Sequence, residues 1–334
     1  MTPCLSPRMI LLSTYIILPL LPSNVVRNAY SVPYFPTISN ITITMSDLNA
    51  LATSLIQQTN PSLSSKTEGS RIAFSQTHHR LNLLTTWFGS LEAAKNALSG
   101  KTILEIGCGQ GDMTVALAWA VGLTGKVIAI DPAPLDYGSP ETLREAQERV
   151  SKSEIGERIE WVQADPIEVL KRDPNLHDVE YVVLAHSLLY MRSEEYVGEL
   201  FRALRSVPSI SVDMSSSPRL LIAEWGMKVS GESARAHLLA VQAQAAQPLE
   251  SGNVQLYLEP KVTTQIAMDA GWKAEKESWI ESPDLDDGSW EVAAARSLSV
   301  ANDTHGAARK HLEEMDRVAS EPVRSMDVWT GVLQ

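Results

Sequence analysis

The stretch from Lys101 to Asp131 limits the possible folds more than any other part of the chain. An apolar run, Thr102 to Ile106, leads into Gly107-Cys108-Gly109-Gln110-Gly111-Asp112. A helical pattern follows from Met113 to Ala120, and a second apolar run, Val127 to Ile130, ends on Asp131. Strand, glycine turn, helix, strand and terminal acid make one β-α-β unit. Glycine removes the Cβ where a ligand must approach the backbone, and it accepts dihedrals that other residues resist. An acid about 20 residues beyond the last glycine can accept both hydroxyl protons of a ribose. The unit therefore points to an α/β fold and an adenosine-containing ligand.

Which ligand turns on one position. A dinucleotide turn reads G-x-G-x-x-G, its third glycine letting the helix pack close beside the pyrophosphate. Here the glycines stand at 107, 109 and 111, and position 112 is Asp. A carboxylate at the helix start repels a pyrophosphate that the helix N-terminus otherwise attracts. A cofactor with a sulfonium cation and no phosphate meets no such conflict, so a dinucleotide-dependent oxidoreductase is disfavoured.

At Glu105-Ile106-Gly107-Cys108-Gly109-Gln110-Gly111 the chain resembles the class I S-adenosylmethionine-dependent methyltransferases, whose first motif is an acid-x-Gly-x-Gly-x-Gly turn. The resemblance runs from about Lys101 to about Arg296. It implies a doubly wound, mostly parallel seven-stranded sheet of the Rossmann-like methyltransferase fold, with S-adenosyl-L-methionine as cofactor. It further implies a cofactor site at Glu105, Gly107, Cys108, Gly109, Gly111 and Asp131. Ala164 and Asp165, after the third strand, would hold the adenine amino group, although an Asp before Pro166 also starts a turn. A member of the fold that keeps the cofactor without methylating is the alternative.

The chain has 334 residues, enough to bury a large core, and a formal net charge of −12 with no dense Lys/Arg stretch. Phosphate contact needs concentrated cations, so nucleic acid is not expected as a partner. Only Cys4 and Cys108 occur, which excludes a disulfide framework and a CxxC zinc pattern. Cys108, inside the turn, reads as a small buried thiol.

Four regions are expected: a leader at 1–44, a helical cap at 45–100, the cofactor-binding domain at 101–300, and a C-terminal helix and tail at 301–334. In the leader, Ile10 to Leu21 is apolar but too short for an ordinary membrane span. Pro22, Pro33 and Pro36 argue against a folded extension, and Met45-Ser46-Asp47 begins a stretch of ordinary composition. The leading reading is a mis-assigned upstream start, with a real anchor or a targeting peptide as the alternatives, and the protein is expected in the cytoplasm with no stable membrane insertion.

Helices are predicted at Asp47 to Gln58 and Phe74 to Phe88, the second placing Leu81, Leu84 and Phe88 on one face. His78, His79 and Arg80 would open that helix at the surface. Val179 to Ala185 is a continuous apolar run, as in a central parallel strand covered on both faces. It ends on His186, beside the glycine-turn strand, where open α/β sheets hold ligands. Arg219 to Trp225 is the fifth strand, with Glu224 and Trp225 at its ligand edge. Ser230 to Ala246 is a helix whose small residues suit a packed core better than a mobile cover. Trp272 to Ile280 and Ser289 to Arg296 read as a closing hairpin, His305 to Val318 as a helix, and Arg324 to Leu333 as a tail.

Methyl transfer from a sulfonium is an in-line displacement in which the protein aligns the acceptor, excludes water and removes a proton where needed. His186 is the best-placed base, also beside the cofactor, because imidazole titrates near neutral pH. His78 and His79 are weaker candidates. Trp87, Tyr137, Tyr190, Met191 and Trp225 are expected to wall the acceptor pocket. The strand end reads Ala185-His186-Ser187-Leu188, which disfavours the branch that methylates exocyclic amines of nucleic-acid bases with an Asn/Asp-Pro-Pro-aromatic motif. No Asp-Asn pair suggests a magnesium site, so a metal-independent enzyme acting on a small, aromatic or heterocyclic secondary metabolite is expected. Deleting residues 1–44 should leave a folded protein with nearly unchanged melting temperature and cofactor affinity; a version starting at Met45 that fails to fold would show that the apolar segment packs on the domain.

Overall fold

The computed structural model describes residues 45–63, 67–172, 176, 178–207, 218–248, 254–298, 306–320 and 322–334. The readings of residues 1–44 and of His305 lie outside them. Two helices open the described chain, α1 (Met45–Thr59) and α2 (Glu68–Phe88), followed by α3 (Leu91–Leu98). The unit at the centre of the sequence is β1 (Thr102–Ile106), α4 (Asp112–Val121) and β2 (Lys126–Asp131). Then come α5 (Leu143–Ser151), β3 (Ile159–Gln163), α6 (Pro166–Arg172), β4 (Val179–Ala185), α7 (Glu194–Arg205) and β5 (Arg219–Trp225). The remainder is α8 (Arg235–Ala246), α9 (Pro260–Asp269), β6 (Ala274–Ile280), α10 (Gly288–Arg296), α11 (Ala307–Val318) and β7 (Val328–Leu333).

The strands form one seven-stranded sheet in the order β3-β2-β1-β4-β5-β7-β6. The first five are parallel, while β7 runs antiparallel between β5 and β6. Period-two alternation divides the apolar side chains between the two faces. Ile103, Val127, Ala129, Val183 and Leu221 join the core under α2, α3 and α4. Leu104, Ile128, Ile130, Val182 and Ile222 join the other, under α7 and α9. A third cluster, with Leu239, Ala240, Ala243, Val292, Ala295 and Met315, holds α8, α10 and α11 together as a C-terminal helical extension. As the small residues of α8 suggested, this helix is packed.

Two elements depart from the sequence reading. The expected hairpin does not form, because its second strand, Ser289 to Arg296, lies within α10. Trp290 and Val292 mimic strand alternation, but Ala293, Ala294 and Ala295 favour a helix, and Trp290 is 47% exposed. The missing strand is the supposed tail. In β7, Val-Trp-Thr-Gly-Val-Leu is rich in β-branched and aromatic residues, and every position is buried. Trp329 pairs in register with Glu224 on one side and Trp279 on the other. The outer strand β6 carries Glu275, Lys276 and Glu277, charges that blunt an exposed sheet edge.

Because Trp329 is 2% exposed in the middle of this join, Trp329→Ala should cost about 3–5 kcal/mol. Chemical denaturation checks this; a loss below about 1 kcal/mol would return the segment to the status of a tail.

Candidate active site

The parallel part of the sheet reverses its winding between β1 and β4, and the crevice beyond those strand ends is where such sheets hold ligands. The glycine turn is laced to the end of β2. Gly107 and Cys108 N–H groups donate to the Ile130 carbonyl at 2.8 and 3.2 Å, and Gly109 N–H donates to Asp131 Oδ2 at 2.8 Å. Asp131 Oδ1 accepts from Ala133 N–H at 2.8 Å. Gly107, Gly109 and Gly111 all take left-handed backbone, with φ of +77°, +51° and +97°. They differ in what occupies the missing side chain. A Cβ on Gly107 would stand 2.4 Å from Ser187 Cβ, and one on Gly111 2.7 Å from the Trp161 ring, whereas nothing lies within 4 Å at Gly109. Two of the glycines serve protein packing; Gly109 leaves open space against the backbone.

Glu105, at the end of β1, is 1% exposed, and Thr114 donates its hydroxyl to Oε2 at 2.6 Å, tying α4 to the strand. Burial pushes the Glu105 pKa up to about 8, against the Thr114 hydrogen bond and the Arg80 cation. Cys108 is buried and its thiol is held well above the usual range by desolvation, which fits a packing role. Asp165 caps α6 through Oδ1, accepting from Ile167 and Glu168 N–H at 2.9 and 3.2 Å, while Oδ2 accepts from the Tyr196 hydroxyl at 3.0 Å. Ala164 lies between β3 and α6. A pocket lined by Asp131, Ala133, Leu135, Leu143, Gln147, Val162 and Gln163 opens at the ends of β2 and β3.

Across the crevice, β4 ends at His186, which is also left-handed (φ +55°) and whose N–H donates to the Ala223 carbonyl at 2.8 Å. Its Nε2 lies 2.9 Å from His79 Nε2, and its Nδ1 faces Glu224 Oε1 at 3.7 Å. Glu224 is fixed by two backbone donors, Leu188 N–H at 2.8 Å and Trp225 N–H at 2.9 Å, while burial pushes its pKa up to about 7. Burial lowers both imidazoles well below the ordinary histidine value. Trp225 stands behind His186, ring centroids 4.4 Å apart, with His237 of α8 against its far side at 4.8 Å. Burial holds His237 down at about 3, and its Nδ1 accepts from Met326 N–H at 3.0 Å.

His79 and Arg80 are not the surface residues expected from the sequence. The helix starts at Glu68, six turns long rather than four, so both fall in its middle, 3% and 7% exposed. His78 turns away and stacks on Phe74 at 5.9 Å. Trp87 is not a pocket wall: it is 5% exposed in the core and its indole N–H donates to the Ile222 carbonyl at 3.1 Å. Met191 packs into the opposite face of the sheet, and Trp225 is buried. Tyr137 and Tyr190, 41% and 52% exposed, present aromatic rings to solvent. Arg80, His237, Ser187 and Asp287 were missed; a lone His within an Ala-rich helix was the available signal for His237. Among the described residues no group of three or more His, Cys, Asp or Glu is placed to hold a metal, and no helix is long and apolar enough to cross a membrane.

Residues 103–207 match the methyltransferase domain family. The chain is 26% identical over 289 residues to methyltransferase phomM of Diaporthe leptostromiformis, covering 70% of this chain and 73% of that protein. A segment of 82 residues is 39% identical to the 2-phytyl-1,4-naphtoquinone methyltransferase of Nostoc punctiforme, covering 25% of this chain and 33% of that one. The solved structure of a cyclopropane-fatty-acyl-phospholipid synthase-like protein from Lactobacillus casei is similar with TM-score 0.70 and 29% identity, over 87% of this chain and 100% of that one. The chain is an S-adenosylmethionine-dependent methyltransferase.

The methyltransferase's own residues fit its cofactor. Asp131 offers a carboxylate at a strand end, Gly109 offers open backbone, and Asp112 and Asp131 lie near enough to Glu105 to help hold its proton on, an acidic setting suited to a cation. The same burial that shapes this edge makes stability pH-dependent. Glu105 and Glu224 release their protons near 4.5 when unfolded but near 8 and 7 in the fold, so their contribution is present below the unfolded value and lost as pH rises through the folded ones. His79, His186 and His237 act oppositely, contributing above 6.5 and losing that contribution as pH falls. The unliganded enzyme should therefore lose melting temperature between about pH 6.5 and 8, where the carboxyl groups dominate, and Glu105→Gln should flatten the fall. Scanning fluorimetry across that range checks it; a rising melting temperature would contradict it.

Proposed function

We propose that this methyltransferase acts on a small aromatic or heterocyclic acceptor, with His186 as the group that receives the acceptor's proton. The observation that carries the reading is the placement of His186 between the ends of β4 and β5, held by its backbone bond to Ala223 and backed by Trp225. S-adenosylmethionine, when bound, supplies an electrophilic methyl carbon. The rest falls to the chain's own groups. Nδ1 of His186 is shut from solvent and faces Glu224. At 3.7 Å the carboxylate is beyond hydrogen-bond reach, but it favours the tautomer with Nδ1–H and stabilises the imidazolium that forms. Nε2 is then the atom with a free lone pair. His79 Nε2 shares a hydrogen bond with it at rest and yields when an acceptor hydroxyl or N–H arrives.

The exposed rings of Tyr137 and Tyr190 supply flat apolar surface suited to an aromatic acceptor. The net charge of −12 supports a small molecule over a polyanion. A base with a depressed pKa is neutral throughout the physiological range, so the rate should fall only where pH drops well below 6.5.

His186→Gln should keep cofactor affinity within about two-fold while lowering the methylation rate by about 100-fold, and should lack that acidic limb. Radiolabelled methyl transfer into a panel of phenols and N-heterocycles, followed against pH, tests both parts. A few-fold loss with an unchanged profile would make His186 a positioning residue, and transfer only to non-aromatic acceptors would overturn the substrate class.

A further inference from the structure

Arg80 is a buried side chain with two of its three guanidinium nitrogens left without a hydrogen-bond partner among the described residues. It sits in the middle of α2, 7% exposed, and its Nε and Nη1 have no hydrogen-bond partner. Burying a guanidinium this way is expensive unless a carboxylate or several acceptors meet it. Three carboxyl groups are close enough to feel its charge: Glu105, Glu224 and Asp287. Each is engaged elsewhere. Glu105 Oε2 takes the Thr114 hydroxyl, both oxygens of Glu224 take backbone N–H groups, and Asp287 is bonded to the Gln76 side chain. Burial raises the pKa of all three, so they offset the cation incompletely. The adjoining imidazoles, His79 and His186, are disfavoured as cations partly by Arg80 itself. A planar fork of donors is thus left facing the carboxyl edge of β1, β4 and β5, and its geometry matches a carboxylate.

We propose that Arg80 is the recognition point for a ligand carboxylate at this edge. The proposal rests on the methyltransferase reading of the site. Two ligands could bring the group: the cofactor, through its amino-acid end, or an acceptor that is itself an organic acid.

Calorimetric titration of the full chain and of Arg80→Met separates them. S-adenosylhomocysteine carries the amino-acid carboxylate and 5′-methylthioadenosine lacks it. If the cofactor is the source, Arg80→Met should weaken S-adenosylhomocysteine about ten-fold or more and leave 5′-methylthioadenosine within about two-fold. If the acceptor is the source, S-adenosylhomocysteine binding stays unchanged. The loaded wild-type enzyme should then take benzoate but not benzamide, and the variant should take neither. Removing an unsatisfied buried charge should also hold or raise the melting temperature of the unliganded protein. Arg80→Lys, which keeps the charge without the fork, should retain part of the affinity. A folded Arg80→Met that matches the wild type in both titrations overturns the proposal. So does a melting temperature lowered by about 5 °C or more in both variants, which would make Arg80 a scaffold residue. In either case wild-type binding of 5′-methylthioadenosine would leave the cofactor reading standing; its absence, together with that of S-adenosylhomocysteine, would strike that reading instead.

Discussion

Ser187 occupies the place where a side chain on Gly107 would have to go, and the geometry of the whole edge follows from that contact. With no Cβ in the way, the turn after β1 closes against the chain leaving β4. The two residues flanking Ser187 are then committed. His186 turns left-handed with its N–H on β5, and Leu188 presents its N–H to Glu224. Glu224 in turn faces His186 Nδ1. One missing methyl-sized group thus links the glycine turn, the candidate base and the buried acid that faces it. Any side chain at Gly107 would meet both a positive φ and a 2.4 Å overlap, so displacement there would reach His186 as well as the cofactor turn.

Desolvation controls the protonation states behind that edge. Glu105 and Glu224 are shifted up and three histidines down by the same exclusion of water, each opposing its own charged form. Arg80 has no such escape, since guanidinium does not release its proton in proteins. The interior beneath the ligand edge therefore concentrates its unresolved charge in one side chain.

The first five strands, the glycine turn and the strand-end positions of Asp131, His186 and Glu224 were legible because local chemistry specifies them. Continuous apolar runs, glycine spacing and terminal acids need no distant partner to be recognised. The errors share a different cause. Ser289 to Arg296 alternates weakly and is helical, while Val328–Leu333 became a central strand only because β5 and β6 present edges to it. Likewise His79 and Arg80 read as surface residues because polar residues at the start of a helix are normally solvated. Their burial follows from an earlier helix start at Glu68, behind the Thr67 cap, which moves both side chains over the sheet. Trp87 failed as a pocket residue for a related reason: whether an aromatic lines a cavity or fills a core depends on which neighbour reaches it first, here the Ile222 carbonyl.

The insertion of β7 between β5 and β6 separates order in space from order in time. On the ribosome β5 is made first, and its partner in the sheet is the last of the seven strands to be synthesised. At roughly 5–20 residues per second, the wait between the two is on the order of ten seconds. Throughout that interval the outer edge of β5 and the whole of β6 lack the strand that joins them. Trp225 and Glu224 end β5, so the half of the crevice that carries them is finished only after translation has passed Val328, whereas the half built from β1, β2 and Asp131 can close long before. The nascent chain can thus complete its glycine-turn edge before its β5 edge is whole. A chaperone that shields a lone sheet edge would have its work at β5 and not at the glycine turn.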